Sequence, residues 1–246
     1  HKVLMVAGIG QAAKTPQYIC ANAFCGLHGR ALPPSVAAKM ANEELVVILD
    51  TGDGDSYGEG GNHLLHNIRR NVDVSHFVHN NQIYGLTKGQ ASPTSQVGMV
   101  TGAQPHGSMN MALNPLLLAL AAGAGFVARG FAGDQEQLVG LMQQAIRFKG
   151  YALLDILQPC VSFNKVNTYE WYKQRVRPIG AEHDVTDFAA SIALAQVFGE
   201  EIPTGVLYKV EKPVFHDNHG VLQDHIPLIS KKTNPKKLEQ LIHSFV

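Results

Sequence analysis

The sequence of 246 residues has few cysteines and no net charge. Twenty basic and twenty acidic side chains cancel, so no global electrostatic field attracts the protein to nucleic acid or to an anionic membrane surface. The three cysteines, Cys20, Cys25 and Cys160, are too few and odd in number for a disulfide framework. This content favours a reducing compartment. We interpret the protein as cytoplasmic, with neither nucleic acid nor a membrane among its partners.

The sequence also lacks a long uninterrupted apolar run. Residues 108–128, "SMNMALNPLLLALAAGAGFVA", carry no charged side chain, but Asn110, Asn114 and Pro115 interrupt them. This pattern predicts a buried helix followed by a strand rather than a membrane span. No signal peptide is visible, and the chain opens directly on a strand and a glycine turn, "HKVLMVAGIG". We therefore expect a further N-terminal segment.

Apolar strand patterns alternate with helix patterns along most of the chain. Strands are predicted in "KVLMVAG", "LVVILD", "VDVSHFVHNN", "FVARGF" and "YALLDILQP", and helices lie between them. This alternation predicts an α/β fold with a single doubly wound, mainly parallel sheet covered on both faces. We expect residues 1–164 to form this domain. Residues 165–246 are more polar, and we expect them to be an irregular C-terminal part of the same domain and an extension that contacts other subunits.

Acids alternate with glycines in "ILDTGDGDSYGEGGN", residues 48–62. Asp53 comes just after a predicted strand, and Asn81 comes just after the next one, at the edge where ligands bind in such sheets. A carboxylate, an amide oxygen and a nearby carbonyl oxygen suit Mg²⁺, which usually keeps phosphate oxygens in its remaining positions. The glycines allow the backbone to approach a large anion. The stretch therefore predicts a site for a metal-bound diphosphate.

Gly-Asp-Gly is also common in turns, so these residues alone leave a purely structural turn open. The spacing is more informative, because "GDG", twenty-five residues and "NN" resemble the thiamine diphosphate signature. In that signature the first acid and the last Asn hold Mg²⁺, and the residue two positions after that Asn offers its carbonyl oxygen. The resemblance implies Asp53, Asn81 and Ile83 as the magnesium ligands.

Longer motifs make the resemblance specific. "GIG", "HGRA", "GDGDSYGEGGNHLLHNIRRNVD", "NNQIYGLTKGQASPTS" and "LQPCVSFN" occur in the order found in β subunits of 2-oxoacid:ferredoxin oxidoreductases. The resemblance is dense from Lys2 to Asn164 and looser to about Lys212. It implies a thiamine diphosphate-binding fold, with residues 1–164 as the domain that binds this cofactor and magnesium. It also implies the oxidative decarboxylation of a 2-oxoacid with coenzyme A, which gives acyl-CoA, CO₂ and electrons for ferredoxin. Since the proton-relay glutamate of related enzymes lies on another chain or domain, we expect activity only with an α subunit.

The resemblance also implies which residues contact the cofactor. We expect His28 to be catalytic and to contact a phosphate oxygen or the reacting carbon. The expected cofactor contacts lie in four segments: Gly8, Ile9, Gly10 and Gln11; His28 and Gly29; Gly52, Asp53, Gly54 and Asp55; and Asn81, Gly85, Leu86 and Thr87.

The cysteines depart from the family pattern. Many of these β subunits bind one [4Fe–4S] cluster through an N-terminal Cys-x-x-Cys, a cysteine directly after "GIG" and a cysteine in "QPC". Here Gln11 follows "GIG", no Cys-x-x-Cys is present, and Cys160 alone matches a ligand position. Three explanations stay open. Two cysteines of a further N-terminal segment could combine with Cys20 or Cys25, the cluster could have a non-cysteine ligand, or this protein could lack the cluster. We expect Cys20 and Cys25 to be small buried hydrophobic side chains.

Two other functions stay open on the sequence. A non-oxidative thiamine diphosphate-dependent 2-oxoacid decarboxylase would need the same magnesium site without an electron path, and Gln11 counts in its favour. A non-catalytic binding subunit is the second alternative, and the intact Asp53 and Asn81 argue against it. The sequence does not select one 2-oxoacid.

Overall fold

The computed structural model describes residues 2–232 and 234–245. In chain order, its strands are β1 (Val3–Ala7), β2 (Asn22–Cys25), β3 (Val46–Gly52), β4 (Val74–Asn80), β5 (Ile83–Tyr84), β6 (Gln90–Ala91), β7 (Phe126–Phe131), β8 (Tyr151–Leu157), β9 (Val176–Pro178) and β10 (Ile202–Lys209). Its α-helices are α1 (Leu32–Ala41), α2 (Gly61–Arg70), α3 (Pro115–Ala121), α4 (Gln135–Arg147), α5 (Tyr169–Arg175), α6 (Phe188–Gln196) and α7 (Pro235–His243).

Eight strands form one sheet in the order β2-β1-β3-β4-β8-β7-β10-β9. The six neighbouring strands β2, β1, β3, β4, β8 and β7 are all parallel. Strand β10 runs antiparallel to β7, and β9 runs parallel to β10. The strands β5 and β6 form a separate small hairpin. The expectation of a mainly parallel α/β sheet is confirmed.

The central strands are apolar because helices cover the sheet on both faces. Along β8, Tyr151 and Leu153 pack on one face with helices α1, α2, α3 and α6, and Leu154 and Ile156 pack on the other face with α4. All seven residues of β8 are buried. The core is therefore two apolar layers separated by the sheet.

Local sequence signals set the helix ends. Asn114 accepts hydrogen bonds from the backbone N–H groups of Leu116 and Leu117, and Pro115 occupies the first turn of α3. At its C-terminus, α2 is capped by Asn71, whose φ of 49° is left-handed. The uncharged run of residues 108–128 thus divides into α3 and the start of β7, as predicted. No helix among residues 2–232 and 234–245 is long and apolar enough to cross a membrane.

Two local features were not predicted from the sequence. Residues Asn22–Cys25 form an edge strand parallel to β1, and Gly54–Glu59 form a π-helical turn that leads into α2. Cys20 and Cys25 are both exposed, so the expectation that they are buried hydrophobic side chains is wrong. They lie at the open edge of the sheet, where no further element covers them among the described residues.

Candidate active site

The expected site residues follow the carboxyl ends of neighbouring parallel strands. Asp53 comes directly after β3, Asn81 directly after β4 and Gln158 directly after β8. Because β3, β4 and β8 are adjacent and parallel, these residues lie at one edge of the sheet. The structure places the predicted metal ligands at the crevice where open α/β sheets bind ligands.

The carboxyl group of Asp53 is buried without a cationic partner among the described residues, and Asp53 is only 2% exposed. Its Oδ2 accepts hydrogen bonds from the hydroxyls of Ser92 (2.6 Å) and Thr94 (2.7 Å). Burial raises the pKa of Asp53, and these two hydrogen bonds oppose that rise. A bound cation would compensate the buried charge, so the residue fits a metal ligand.

Asn81 and Ile83 supply further oxygen atoms beside Asp53. The Asn81 side-chain oxygen accepts the backbone N–H of Ile83 at 3.0 Å, and Gln82 between them has a left-handed φ of 58°. The Asn81 carbonyl is fixed by the amide of Asn164 at 3.0 Å. Within residues 2–232 and 234–245, no three His, Cys, Asp or Glu side chains form a metal site. Asp53, Asn81 and Ile83 instead offer one carboxylate, one amide and one carbonyl oxygen, which have the hard-oxygen chemistry that suits Mg²⁺.

Asp55 joins three of the expected segments. Its Oδ1 accepts the backbone N–H groups of Ile9 (3.1 Å) and Gly29 (2.7 Å). Its Oδ2 is buried without a hydrogen-bond partner and faces Gly8, where an added Cβ would lie 1.9 Å from it. Burial raises the pKa of Asp55, and the two backbone hydrogen bonds oppose that rise. Asp55 thereby fixes the "GIG" turn and the "HG" loop against the turn after β3.

His28 lies between two acids at the mouth of this arrangement. Its Nδ1 is 3.3 Å from a carboxylate oxygen of Glu59, and its Nε2 is 3.8 Å from Oδ1 of Asp55. The Tyr84 hydroxyl donates to the same Glu59 carboxylate at 3.1 Å. Burial and the neighbouring Glu59 raise the pKa of Tyr84. Glu59 and Tyr84 are not among the residues predicted from the sequence, although both are polar residues within the motifs "GDGDSYGEGGN" and "NNQIYGLT".

These segments enclose one cavity of about 220 Å³. A ligand can approach the backbone of this cavity at two glycines, because the space in front of them is open. An added Cβ at Gly10 would meet nothing within 4 Å, and one at Gly52 would meet nothing nearer than 4.0 Å. Gly8 and Gly29 do not line the cavity. Gly8 packs against Asp55, and Gly29 packs against Glu59. The cavity is lined by thirteen predicted residues, namely Ile9, Gly10, Gln11, His28, Gly52, Asp53, Gly54, Asp55, Asn81, Ile83, Gly85, Leu86 and Thr87, together with Ala12, His79, Tyr84 and Gln158.

A row of polar side chains that the sequence analysis missed crosses β3, β4 and the end of β8. Nε2 of His79 lies 2.6 Å from Oδ1 of Asp50, and Nδ1 contacts Oε1 of Gln158. Burial lowers the pKa of His79, but the hydrogen bond and charge of Asp50 outweigh it, so the pKa lies above its usual value. The signal that could have found this row is a polar residue within otherwise apolar strands, as in "LVVILD" and "SHFVHN".

A buried hydrogen-bond network connects the site to the interior of the sheet. Tyr57 donates its hydroxyl to Asp155 at 2.7 Å, and Asn80 donates its amide to the same carboxylate. Burial raises the pKa of Asp155 to about 6, opposed by the Tyr57 hydrogen bond and by the charge of Arg129. The amide oxygen of Asn80 lies 2.9 Å from the Thr94 hydroxyl, which also contacts Asp53. The network therefore links the metal-ligand candidate to the centre of the sheet.

The cysteines are not gathered into a four-thiolate site in the part of the chain that the structure describes. Cys25 donates its thiol to the carbonyl of Gly8 at 3.3 Å, and Cys160 is half-buried, with its sulfur 3.5 Å from the backbone nitrogen of Phe163. Cys160 is also near Gly85, where an added Cβ would lie 3.6 Å from the sulfur. The described residues do not fit a [4Fe–4S] cluster by themselves. Cys160 as an iron–sulfur ligand stays a prediction.

Comparison with known proteins identifies the family. Residues 3–156 match the family described as "Thiamine pyrophosphate enzyme, C-terminal TPP binding domain", and residues 160–224 match the family described as the C-terminal part of the pyruvate ferredoxin oxidoreductase β subunit. The chain is 41% identical over 223 residues to the 2-oxoacid:ferredoxin oxidoreductase subunit beta of Saccharolobus solfataricus, covering 85% of this chain and 73% of that protein. It is 40% identical over 219 residues to subunit beta of 2-oxoacid:ferredoxin oxidoreductase 2 of Aeropyrum pernix, covering 85% and 71%.

A solved structure agrees with these sequence matches. The 2-oxoglutarate:ferredoxin oxidoreductase from Magnetococcus marinus, with 2-oxoglutarate, coenzyme A and succinyl-CoA bound, superimposes with a TM-score of 0.91 at 34% identity. The match covers 98% of this chain and 82% of that chain. The relatives' names do not favour the non-oxidative alternative. The protein therefore belongs to the thiamine diphosphate-binding β subunits of the 2-oxoacid:ferredoxin oxidoreductases.

Proposed function

We propose that the chain is the cofactor-binding subunit of a 2-oxoacid:ferredoxin oxidoreductase and works with an α subunit in the cytoplasm. The reaction consumes a 2-oxoacid, coenzyme A and two oxidised ferredoxins, and it releases acyl-CoA, CO₂, a proton and two reduced ferredoxins. Family membership supports the reaction type. The single structural observation that carries the proposal is the meeting of Asp53, Asn81 and the "GIG", "HG" and "GLT" segments around one cavity.

Magnesium ion would be held by Asp53, the side-chain oxygen of Asn81 and the carbonyl oxygen of Ile83. The hydroxyls of Ser92 and Thr94 fix one carboxylate oxygen of Asp53 and leave the other without a side-chain partner among the described residues. The ion would bind the cofactor diphosphate against the glycines of the "GDG" turn, whose backbone allows close approach.

Thiamine diphosphate, when bound, supplies the electron sink that makes decarboxylation of a 2-oxoacid feasible. The chain's own residues bind, orient and enclose it. Asp55 holds the N–H groups of Ile9 and Gly29 and so fixes two walls of the cavity. His28, held by Glu59, is the side chain that we assign to the reacting end or to a phosphate oxygen.

The route of the electrons is a separate question from the binding site. Gln11 lines the cavity and follows "GIG", where the family pattern described above has a cysteine in many β subunits. A cluster bound through Cys160 would need ligands besides the described cysteines. We propose ferredoxin as the electron acceptor on the strength of the relatives' names.

The test is a dye-reduction assay on the chain purified without oxygen together with its α subunit. Reduction of ferredoxin or methyl viologen should require a 2-oxoacid and coenzyme A together, with one acyl-CoA formed for two electrons transferred. Release of CO₂ without coenzyme A and without dye reduction would contradict the proposal and would indicate a non-oxidative decarboxylase. Pyruvate, 2-oxoglutarate and a branched 2-oxoacid should be compared in the same assay.

A further inference from the structure

The row formed by Asp50, His79 and Gln158 has no place in the functions assigned above. Its members come from three adjacent strand ends, and two of them, His79 and Gln158, line the cavity. The row lies beside Asn81, with Gln158 fixed at its backbone by a 3.0 Å hydrogen bond to the Asn80 carbonyl. Such a row of polar side chains in otherwise apolar strands requires an explanation, because buried polar groups are costly unless they have partners.

The contacts run in one direction, from a buried acid to the cavity. Asp50 is buried at 4% exposure, and Oδ1 of its carboxylate lies 2.6 Å from Nε2 of His79. The other ring nitrogen of His79 contacts the side-chain oxygen of Gln158. This leaves the amide nitrogen of Gln158 as the end of the row, and within the described residues that nitrogen has no hydrogen-bond partner.

We infer that Gln158 contacts the bound ligand by donating its amide N–H to an oxygen atom, and that Asp50 and His79 are positioning residues that hold the amide in this orientation. The acceptor is an anionic oxygen either of the cofactor diphosphate or of the 2-oxoacid carboxylate. The inference rests on the proposed function for the identity of these ligands. It assigns a role in this reaction to three residues that the motifs did not select.

The first experiment compares Gln158→Glu with wild type, both assembled with the α subunit. Glutamate keeps an oxygen that can meet His79 but removes the amide N–H. Because a hydrogen bond to a charged group contributes strongly, we expect a loss of about tenfold to hundredfold in the affinity for one ligand. Calorimetry with thiamine diphosphate and Mg²⁺ measures the cofactor affinity. The KM of the 2-oxoacid at saturating cofactor reports the effect on substrate binding.

The two measurements distinguish the sources of the oxygen atom. A weakened cofactor affinity places the acceptor on the diphosphate, and a raised KM with unchanged cofactor affinity places it on the 2-oxoacid. Gln143→Glu, on the exposed side of α4, is the matched control for the added charge. If Gln158→Glu changes both quantities by no more than the control does, the inference is overturned.

A second experiment tests the positioning role through a double-mutant cycle. Asp50→Asn should weaken the same binding step in the wild type but have little further effect when Gln158→Leu is already present. Full additivity of the two changes would overturn the role of Asp50, and thermal melting separates this from a loss of fold. A wild-type complex that binds no thiamine diphosphate overturns the proposed function and this inference together. Wild-type binding that is unmoved by Gln158→Glu overturns the inference alone.

Discussion

At the scale of single residues, Asp53 is the group on which the site depends most. It is buried and accepts two hydroxyl hydrogen bonds, yet no cationic side chain among the described residues compensates its charge. A buried carboxylate in this situation has a raised pKa and a high affinity for a cation. Asp53 therefore destabilises the fold when no cation is bound and stabilises the complex when a cation is bound.

Asp53→Asn should lower the affinity for thiamine diphosphate in the presence of Mg²⁺ by about hundredfold or more, since one partner of a buried charge pair is removed. Isothermal titration calorimetry measures this change. The control is Asp134→Asn, because Asp134 caps α4 and asparagine is an equally good cap. Unchanged Mg²⁺-dependent affinity in Asp53→Asn would contradict the metal assignment.

The pKa of His76 predicts how stability depends on pH. His76 is fully buried between Thr51, Ser56 and Tyr151, and burial lowers its pKa from 6.5 to about 3. The unfolded chain takes up the proton near pH 6.5 and the folded chain only near pH 3. Unfolding therefore binds a proton in this window, and the folded state loses stability as pH falls below 6.5.

Urea unfolding of wild type and His76→Gln tests this dependence. Between pH 7 and pH 5, the free energy of unfolding of the wild type should fall by about 2 kcal/mol more than that of the variant. The variant is expected to be the less stable protein at pH 7, because it loses the ring contacts, and the gap should narrow in acid. Parallel curves for the two proteins would show that His76 is not held neutral.

At the scale of elements, the turn after β1 and the π-helical turn after β3 depend on each other. Asp55 in the π-helical turn accepts the N–H of Ile9 and approaches Gly8 so closely that no side chain fits there. Similarly, a Cβ at Gly54 would lie 2.2 Å from the Tyr84 ring. The glycines of these motifs thus have a packing reason as well as the reason of ligand approach.

Gly8→Ala should destabilise the fold by about 1–3 kcal/mol, because the added methyl group must displace the Asp55 carboxylate and its hydrogen bonds. Gly140→Ala is the control, since nothing lies within 4 Å of its Cβ position in the middle of α4. That change should stabilise the helix by about 0.5–1 kcal/mol. Equal unfolding free energies for Gly8→Ala and wild type would contradict the account of this junction.

The sequence predicted most of the regular elements, because buried parallel strands and proline- or asparagine-capped helices leave strong local signals. It predicted Asp53 and Asn81 at strand ends from the same signals. The edge strand Asn22–Cys25 is only four residues long and exposed, so it lacks the pattern of a buried strand, and its pairing with β1 is set by tertiary contact. Asp50 and His79 do stand out as polar residues in apolar strands, but their contact with each other and with Gln158 joins residues far apart in the chain, which no local pattern predicts.

At the scale of the whole molecule, the cavity is incomplete as an active site. Its volume of about 220 Å³ is below the roughly 300–1,000 Å³ usual for small-molecule and cofactor sites. The acids among its lining residues are Asp53 and Asp55. Asp53 is assigned to the metal ion and Asp55 holds two backbone N–H groups, so neither is available for a proton relay.

The isolated chain should therefore bind thiamine diphosphate but turn over no 2-oxoacid, and addition of the α subunit should restore activity. Reconstitution from separately purified subunits, followed by the viologen assay, measures this directly. Steady turnover by the isolated chain at a rate comparable to the complex would show that the site is complete without a partner.

The most direct test of the account is the position of the metal ion. We would determine the crystal structure of the protein with thiamine diphosphate and Mn²⁺ and locate the ion by its anomalous scattering. We expect one ion about 2.0–2.5 Å from the Asp53 carboxylate, the Asn81 side-chain oxygen and the Ile83 carbonyl oxygen, with diphosphate oxygens completing its shell. An ion held by other residues, or a cofactor bound away from these strand ends, would contradict this assignment.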